Sequence, residues 1–231
     1  MTKTMAEWWH DLQEAGAVWQ HPGELRAPHV VLRSGQHSDG FVDTLRYLSN
    51  LVNHTRAAHA LAERIGYAIG KMKINWVFGS PMAGIPFATT VASILGAENI
   101  GFTEKQGGND KNLICRLDVE PGETVLLIEE MTTSGQTPQR AMDAILKKNP
   151  EAKIIRSVGA FLIRCTAHPS DLRAALVPVI SLPDLQIFFR EMDPDKCTLC
   201  ETGSRAIPNP KLVWKHLLAT MTDPDHRVPS P

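Results

Sequence analysis

Cysteine is scarce in this 231-residue chain, with four residues, and tyrosine is scarcer, with two. Four cysteines in a chain of this length do not make a disulfide-stapled scaffold. The expectation is reduced Cys115, Cys165, Cys197 and Cys200 in a cytoplasmic protein. An excess of either charge is also missing. Lys and Arg number 24 against 25 Asp and Glu, a net charge of −1. That excludes a nucleic-acid binder running on bulk positive charge. Internal repeats and low-complexity tracts are absent, and the apolar content excludes a disordered chain. The longest stretch without charge, between Lys73 and Glu98, could cross a bilayer by length. Asn75, Ser80, Pro81 and Pro86 divide it into strand, loop and helix, so no membrane span is expected. The opening residues, MTKTMAEWWHDLQEAG, carry acids and lack an apolar signal core. Neither G-x-x-x-x-G-K-[ST], G-x-G-x-x-G nor H-E-x-x-H occurs, which removes the Walker, Rossmann and zinc-protease motifs.

What is present is core material, 43% hydrophobic with 21% charged residues, enough for one large domain or a domain with appendages. Helical spacing of Trp8, Leu12, Ala15 and Trp19 predicts a helix over about 5–20, stopped by Pro22-Gly23. HVVLR (29–33) and 40–44 read as strands, and 55–70 as a helix. NWVFG (75–79) reads as a buried strand, SPMAG (80–84) as a tight loop and 85–96 as a helix. Further strands are expected at 99–103, 113–119, 124–128 and 154–163, with a mobile Gly-rich loop at 104–112 and a helix at 138–148. Alternating strands and helices predict an α/β protein with a mostly parallel sheet. The boundaries read as 1–50 for an N-terminal helix and hood segment, 51–190 for the core and 191–231 for a Cys-containing tail.

The segment TVLLIEEMTTSGQT (124–137) is the most informative. An apolar strand ends in two carboxylates, then a hydroxyl-rich loop with one Gly enters a helix. Ligands of such sheets lie outside the carboxyl ends of strands. Backbone N–H groups of a Ser/Thr/Gly loop at a helix start can cradle a phosphate. Adjacent acids accept hydrogen bonds from vicinal sugar hydroxyls. A strand-to-helix turn merely capped by Thr and Ser is the plainer alternative.

This segment resembles the 5-phosphoribosyl 1-diphosphate (PRPP) motif of type I phosphoribosyltransferases. Four other stretches are similar to orotate phosphoribosyltransferases, in order along the chain. They are residues 12–44, GSPMAGIPFA (79–88) as a pyrophosphate loop, 100–123 as a catalytic lid, and CTLCETGSRAI (197–207) as a tail found in one branch. The resemblance implies a type I phosphoribosyltransferase-like α/β fold, with a mostly parallel central sheet flanked by helices. A small hood would come from the N-terminal segment and C-terminal tail. It further implies transfer of the phosphoribosyl group to orotate, giving orotidine 5′-monophosphate and diphosphate in pyrimidine synthesis, by a Mg²⁺-dependent homodimer without nucleic-acid or membrane partners.

By the same resemblance, Thr132, Thr133, Ser134, Gly135, Gln136 and Thr137 hold the 5′-phosphate, and Met131 also belongs to the PRPP site. Glu129 and Glu130 bind the ribose hydroxyls directly or through Mg²⁺, which sits mainly on substrate oxygens. Met82, Ala83 and Gly84 hold the diphosphate through their backbone, with Arg33 reaching it. Lys105 and Lys111, with Arg116, neutralise the leaving group when the lid closes. Phe41 and Val42 flank orotate, and Thr133 and Arg164 meet its polar edge. The chain departs from the family pattern in Glu130 where Asp is usual, in Ala83 where many relatives have Lys, and in a lid without Lys-Asp-His-Gly. Transfer to another base, or non-catalytic PRPP binding with a regulatory role, are the alternatives these departures admit.

Cys197-x-x-Cys200 has half the spacing of a zinc site, with Cys165 and His168 as the candidate other half and free thiols as the alternative. His37 reads as structural or supporting, Trp8 and Trp9 as packing for the first helix, and Asp43 with Arg46 as a local pair. Residues 223–231 read as a frayed end.

Overall fold

The computed structural model describes residues 3–108, 112–132, 136–165, 179–181 and 186–230, with the backbone alone at 156–157, 161–165, 179–181 and 186–188. The helices are α1 (Met5–Glu14), α2 (Thr44–Leu48), α3 (Leu51–Ile69), α4 (Gly84–Leu95), α5 (Gln136–Lys148), α6 (Thr198–Glu201) and α7 (Trp214–Ala219). The first strands are β1 (Val18–Gln20), β2 (His29–Val31), β3 (His37–Ser38), β4 (Gly40–Val42), β5 (Trp76–Gly79), β6 (Asn99–Phe102), β7 (Glu104–Lys105) and β8 (Leu113–Ile114). Then follow β9 (Thr124–Thr132), β10 (Lys153–Cys165), β11 (Val179–Ser181), β12 (Gln186–Phe188), β13 (Glu191–Met192) and β14 (Ala206–Ile207). The chain divides into two compact units, Met1–Met5 with Leu48–Ile187 and Ala6–Tyr47 with Phe188–Pro231.

The first unit is built on a parallel sheet in the order β11-β10-β9-β5-β6, with β12 also paired to β10. Central β9 is apolar on both faces because helices cover both. Val125 and Leu127 join Ala141, Met142 and Ile145 of α5 in one buried cluster. Strand alternation turns Ile128 the other way. There its side chain and that of Ile65 from α3 crowd the position of Gly159. Helix α3 starts four residues earlier than its apolar pattern predicts. Asn50 caps it, its side chain accepting from the N–H groups of Val52 and Asn53, each at 3.1 Å. Asn50→Ala is expected to lower stability by about 1 kcal/mol, read from denaturant midpoints. An unchanged midpoint would show that the cap carries nothing.

Two predicted elements are shorter than expected. The helix read over 5–20 stops at Glu14. Gly16, at φ 61°, lets its N–H reach the Gln13 carbonyl while Ala17 N–H reaches Leu12, at 2.8 Å each. That pair of bonds is a Schellman stop, and Trp19 falls in β1 instead. The strand read over 113–119 pairs only at β8. Beyond it the backbone is satisfied by a side chain: Asn149 accepts from Val119 N–H at 3.0 Å and donates to the Leu117 carbonyl at 3.2 Å.

The second unit draws on both halves of the chain. Its sheet runs β13-β3-β2-β14, and a separate pair joins β1 to β4. Trp19, Val30, Leu32, Trp214 and Leu217 form its core. The Trp19 indole donates to Thr220 Oγ1 at 3.1 Å and the Trp214 indole to the Gly16 carbonyl at 2.7 Å. Trp8 is buried edge-on to Tyr47, and Trp9 packs on Phe189. Arg46 Nε pairs with Asp43 at 3.1 Å, as expected. The end of the chain is not frayed throughout: Val228 is buried with Ile207 and Val213, and its carbonyl accepts from Arg205.

Candidate active site

Strand order locates the site. The crossover through α4 carries the chain from β5 to β6, and the crossover through α5 carries it from β9 to β10 on the opposite side. The adjacent carboxyl ends of β5 and β9 are therefore a topological switch point, where loops diverge and leave a crevice. The 80–83 loop and the 129–137 segment both arise there. Their register is fixed, with Gly79 opposite Ile128.

Strand β9 is longer than predicted. It runs through both acids to Thr132, because β10 continues beside it with Ala160 opposite Glu129 and Ile163 opposite Thr132. Glu129 is 4% exposed, and its Oε1 has no hydrogen-bond partner among the described residues. Burial first, then the neighbouring Glu130 charge, pushes the Glu129 pKa up to about 8, against a smaller lowering from the Ser80 hydroxyl. A buried, unsatisfied carboxyl oxygen is costly unless something binds it. Glu130 is half-buried. Its Oε2 lies 3.3 Å from where a side chain on Gly84 would begin, and Ser80 Oγ is equally near that point. Gly84 thus keeps open the space between the first turn of α4 and the acid pair.

Ser80 was not singled out from sequence. It is 4% exposed, and its buried hydroxyl faces the Glu129 carboxyl. Its signal was available, since it is the first residue after a buried strand. The 80–83 loop contains a cis Pro81–Met82 peptide bond. Met82 is exposed and Ala83 precedes the helix without a side-chain cap. Ile85 N–H donates to the Met82 carbonyl at 3.3 Å and Pro86 has no N–H, so Gly84 supplies the N–H at the helix start that a ligand can meet.

The other expected residues divide by location. Gln136 and Thr137 open α5 and are exposed, with Gln136 Oε1 accepting from Arg140 at 2.8 Å. Lys105 lies exposed in β7, which pairs antiparallel with β8 as a hairpin. Arg116 is held by Glu104 at 2.6 Å. Arg164 follows Ile163, the partner of Thr132, so its backbone ends β10 at the same edge of the sheet. Its side chain lies outside the described residues, as do Lys111, Thr133, Ser134 and Gly135 entirely. Arg33, Phe41 and Val42 belong to the second unit. There Arg33 is exposed, Phe41 packs on Trp214 at 5.8 Å, and Val42 is 2% exposed, leaving its backbone as the part able to meet a ligand.

The expected partners of Cys197 and Cys200 cannot be placed beside the two sulfurs, but two described histidines can. His29 and His37 stand there, while His168 and the Cys165 side chain fall outside the described residues. Burial, then the charges of His37 and His21, lowers the His29 pKa to about 4.

No family model matches the chain. It is 29% identical over 187 residues to an orotate phosphoribosyltransferase of Thermus thermophilus, covering 80% of this chain and 94% of the relative. An orotate phosphoribosyltransferase of Desulforamulus reducens is 25% identical, with 82% and 92% covered. Among solved structures, orotate phosphoribosyltransferase from Aeropyrum pernix matches with a TM-score of 0.56 at 18% identity, over 77% of this chain and 92% of that one. An adenine phosphoribosyltransferase matches with a TM-score of 0.55 at 19% identity, over 74% and 99%. The fold is shared by enzymes named for different bases, whereas the two sequence relatives are both named for orotate.

Proposed function

From a chain with the type I phosphoribosyltransferase fold, similar in sequence to orotate phosphoribosyltransferases over four-fifths of its length, we propose an orotate phosphoribosyltransferase of pyrimidine synthesis. The observation that carries the reading is the acid pair at the switch point, with Glu129 Oε1 buried and without a hydrogen-bond partner among the described residues. A sugar's hydroxyls are the donors it lacks.

The reaction breaks the bond from ribose C1 to diphosphate and forms one from C1 to orotate N1. No protein nucleophile is needed. Positive charge develops at C1 and negative charge on the leaving diphosphate, so catalysis rests on placement and charge compensation. Glu129 and Glu130 orient the ribose through its hydroxyls. The N–H groups at Met82, Ala83 and Gly84 receive the diphosphate, and the β7–β8 hairpin brings Lys105 to it when closed. The start of α5, with Gln136 and Thr137, takes the 5′-phosphate. The adjacent carboxylates suit Mg²⁺, an oxygen-seeking ion that would neutralise the diphosphate while using few protein ligands. Arg164, at the end of β10, is the proposed partner of the orotate carboxylate. With this activity go a homodimeric assembly and a cytoplasmic setting. No described helix is long and apolar enough to cross a membrane.

Purified protein given orotate, PRPP and Mg²⁺ is expected to release orotidine 5′-monophosphate and diphosphate in equal amounts. No product at high enzyme concentration, with adenine accepted instead, would overturn the orotate assignment.

A further inference from the structure

Four metal-ligating side chains converge in the second unit, away from the acid pair in sequence and independent of the catalytic reading. His29 lies in β2, His37 in β3, Cys197 caps α6 and Cys200 lies within it. The sheet order β13-β3-β2-β14 ties this hairpin to the tail on both edges, with Met192 opposite His37 and Ala206 opposite His29. His29 Nε2 is 2.9 Å from His37 Nδ1. Cys200 Sγ is 3.5 Å from His29 Nε2 and 3.4 Å from His37 Nδ1, and Cys197 Sγ is 3.6 Å from His29 Nε2. All four ligand atoms lie within 4.8 Å of one another. A tetrahedron with zinc–nitrogen bonds of about 2.05 Å and zinc–sulfur bonds of about 2.3 Å has edges of roughly 3.3–3.8 Å. The sulfur–nitrogen separations already match those edges.

The surroundings also orient the ligands. Ser204 Oγ donates its proton to the Ala27 carbonyl at 2.6 Å, so it accepts from His29 Nδ1, 2.8 Å away. That fixes the His29 proton on Nδ1 and turns the Nε2 lone pair toward the two sulfurs. A histidine ligand held through its far nitrogen by an outer hydrogen bond is the usual arrangement at protein metal sites. Gly203, at φ 84°, turns the chain directly after α6 and lets Ser204 N–H reach the Leu199 carbonyl at 3.0 Å. This places Ser204 behind the histidine.

We infer that His29, His37, Cys197 and Cys200 bind one zinc ion as a closed structural site. Four protein ligands leave no open position for a substrate, and thiolate with imidazole suits zinc over magnesium. The ion joins the N-terminal hairpin to the C-terminal tail and closes a loop of more than half the chain.

The full-length protein, purified without chelators, is expected to carry one equivalent of zinc by elemental analysis. After stripping, Co²⁺ titration should saturate at one equivalent, with tetrahedral d–d bands and thiolate-to-cobalt charge transfer. Cys200→Ser should weaken zinc retention at least ~10-fold in chelator competition, while Cys115→Ser leaves it unchanged. Absence of metal with no thiolate bands would overturn the inference without requiring any variant to fold. Equal zinc retention by Cys200→Ser, or a Cys197–Cys200 disulfide in freshly purified protein, would do the same.

Discussion

Replacing Glu129 with glutamine is expected to stabilise the protein at pH 9 and to reduce its transferase activity about 100-fold. Both effects trace to the same carboxyl group, through its buried charge and its acceptor oxygens respectively. The folded state raises the Glu129 pKa to about 8, above the ordinary 4.5, so it keeps a proton that the unfolded chain gives up. Stability contributed by this group therefore falls as pH rises from 4.5 through about 8 and is level beyond. One pKa unit corresponds to ~1.4 kcal/mol, and relaxation around the carboxyl reduces the full sum. A gain of about 1–3 kcal/mol for Glu129→Gln at pH 9 is expected, shrinking to nothing near pH 4.5. Denaturant unfolding at the two pH values checks it. A gap that does not change with pH would show that the buried carboxyl is not the source. The neutral amide offers one acceptor oxygen instead of two, which accounts for the lost activity. Sugar hydroxyls donating to Glu129 favour its ionised form, so PRPP binding near pH 7 is expected to release a proton from the wild-type protein. Calorimetry in buffers of different ionisation enthalpy would show it, and Glu129→Gln should abolish it.

The second large effect is expected from one methyl group. A Cβ on Gly79 would sit 2.8 Å from the Gly84 carbonyl oxygen and from Ile85 Cα, and 2.9 Å from Ala88 Cβ. Two of these atoms belong to the backbone of the first turn of α4, which cannot swing aside as a side chain can. Gly79→Ala is expected to cost about 3 kcal/mol and to raise the KM for PRPP by displacing the 80–84 loop. Gly66→Ala, in α3, meets nothing within 4 Å. It should instead stabilise by about 0.5–1 kcal/mol, as alanine does over glycine in a helix. Equal behaviour of the two variants would refute the crowding argument.

The α/β architecture was legible, and a candidate site could be placed at the end of a strand, because both depend on local signals. Apolar runs such as 124–128 announce buried parallel strands, and two acids at such an end have few structural reasons to be there. The end of β9 was not legible. Glu129–Thr132 is polar, and it stays in the sheet only because β10 extends alongside it. Nor was the end of the strand at 113–119, where a distant Asn149 substitutes for a pairing partner. The Cys-x-x-Cys spacing gave no sign of the two histidines that stand beside it. His29 and Cys197 are 168 positions apart, and only the pairing of β2 with β14 and β3 with β13 brings them together. The burial of Val228 is hidden from the sequence for the same reason: its apolar partners, Ile207 and Val213, lie earlier in the tail and meet it only in the folded unit.

The second unit's interleaving of early and late residues sets an order of assembly. During synthesis β2 and β3 leave the ribosome well before β13 and β14, the strands that flank them. At translation rates of roughly 5–20 residues per second, the wait is on the order of 10 s. For that interval two strand edges stand open to a neighbouring nascent chain on the same message, while the parallel-sheet unit can already close. Slower elongation through the final forty or so codons lengthens the exposure, so yield of native protein should depend on how fast this last stretch is read.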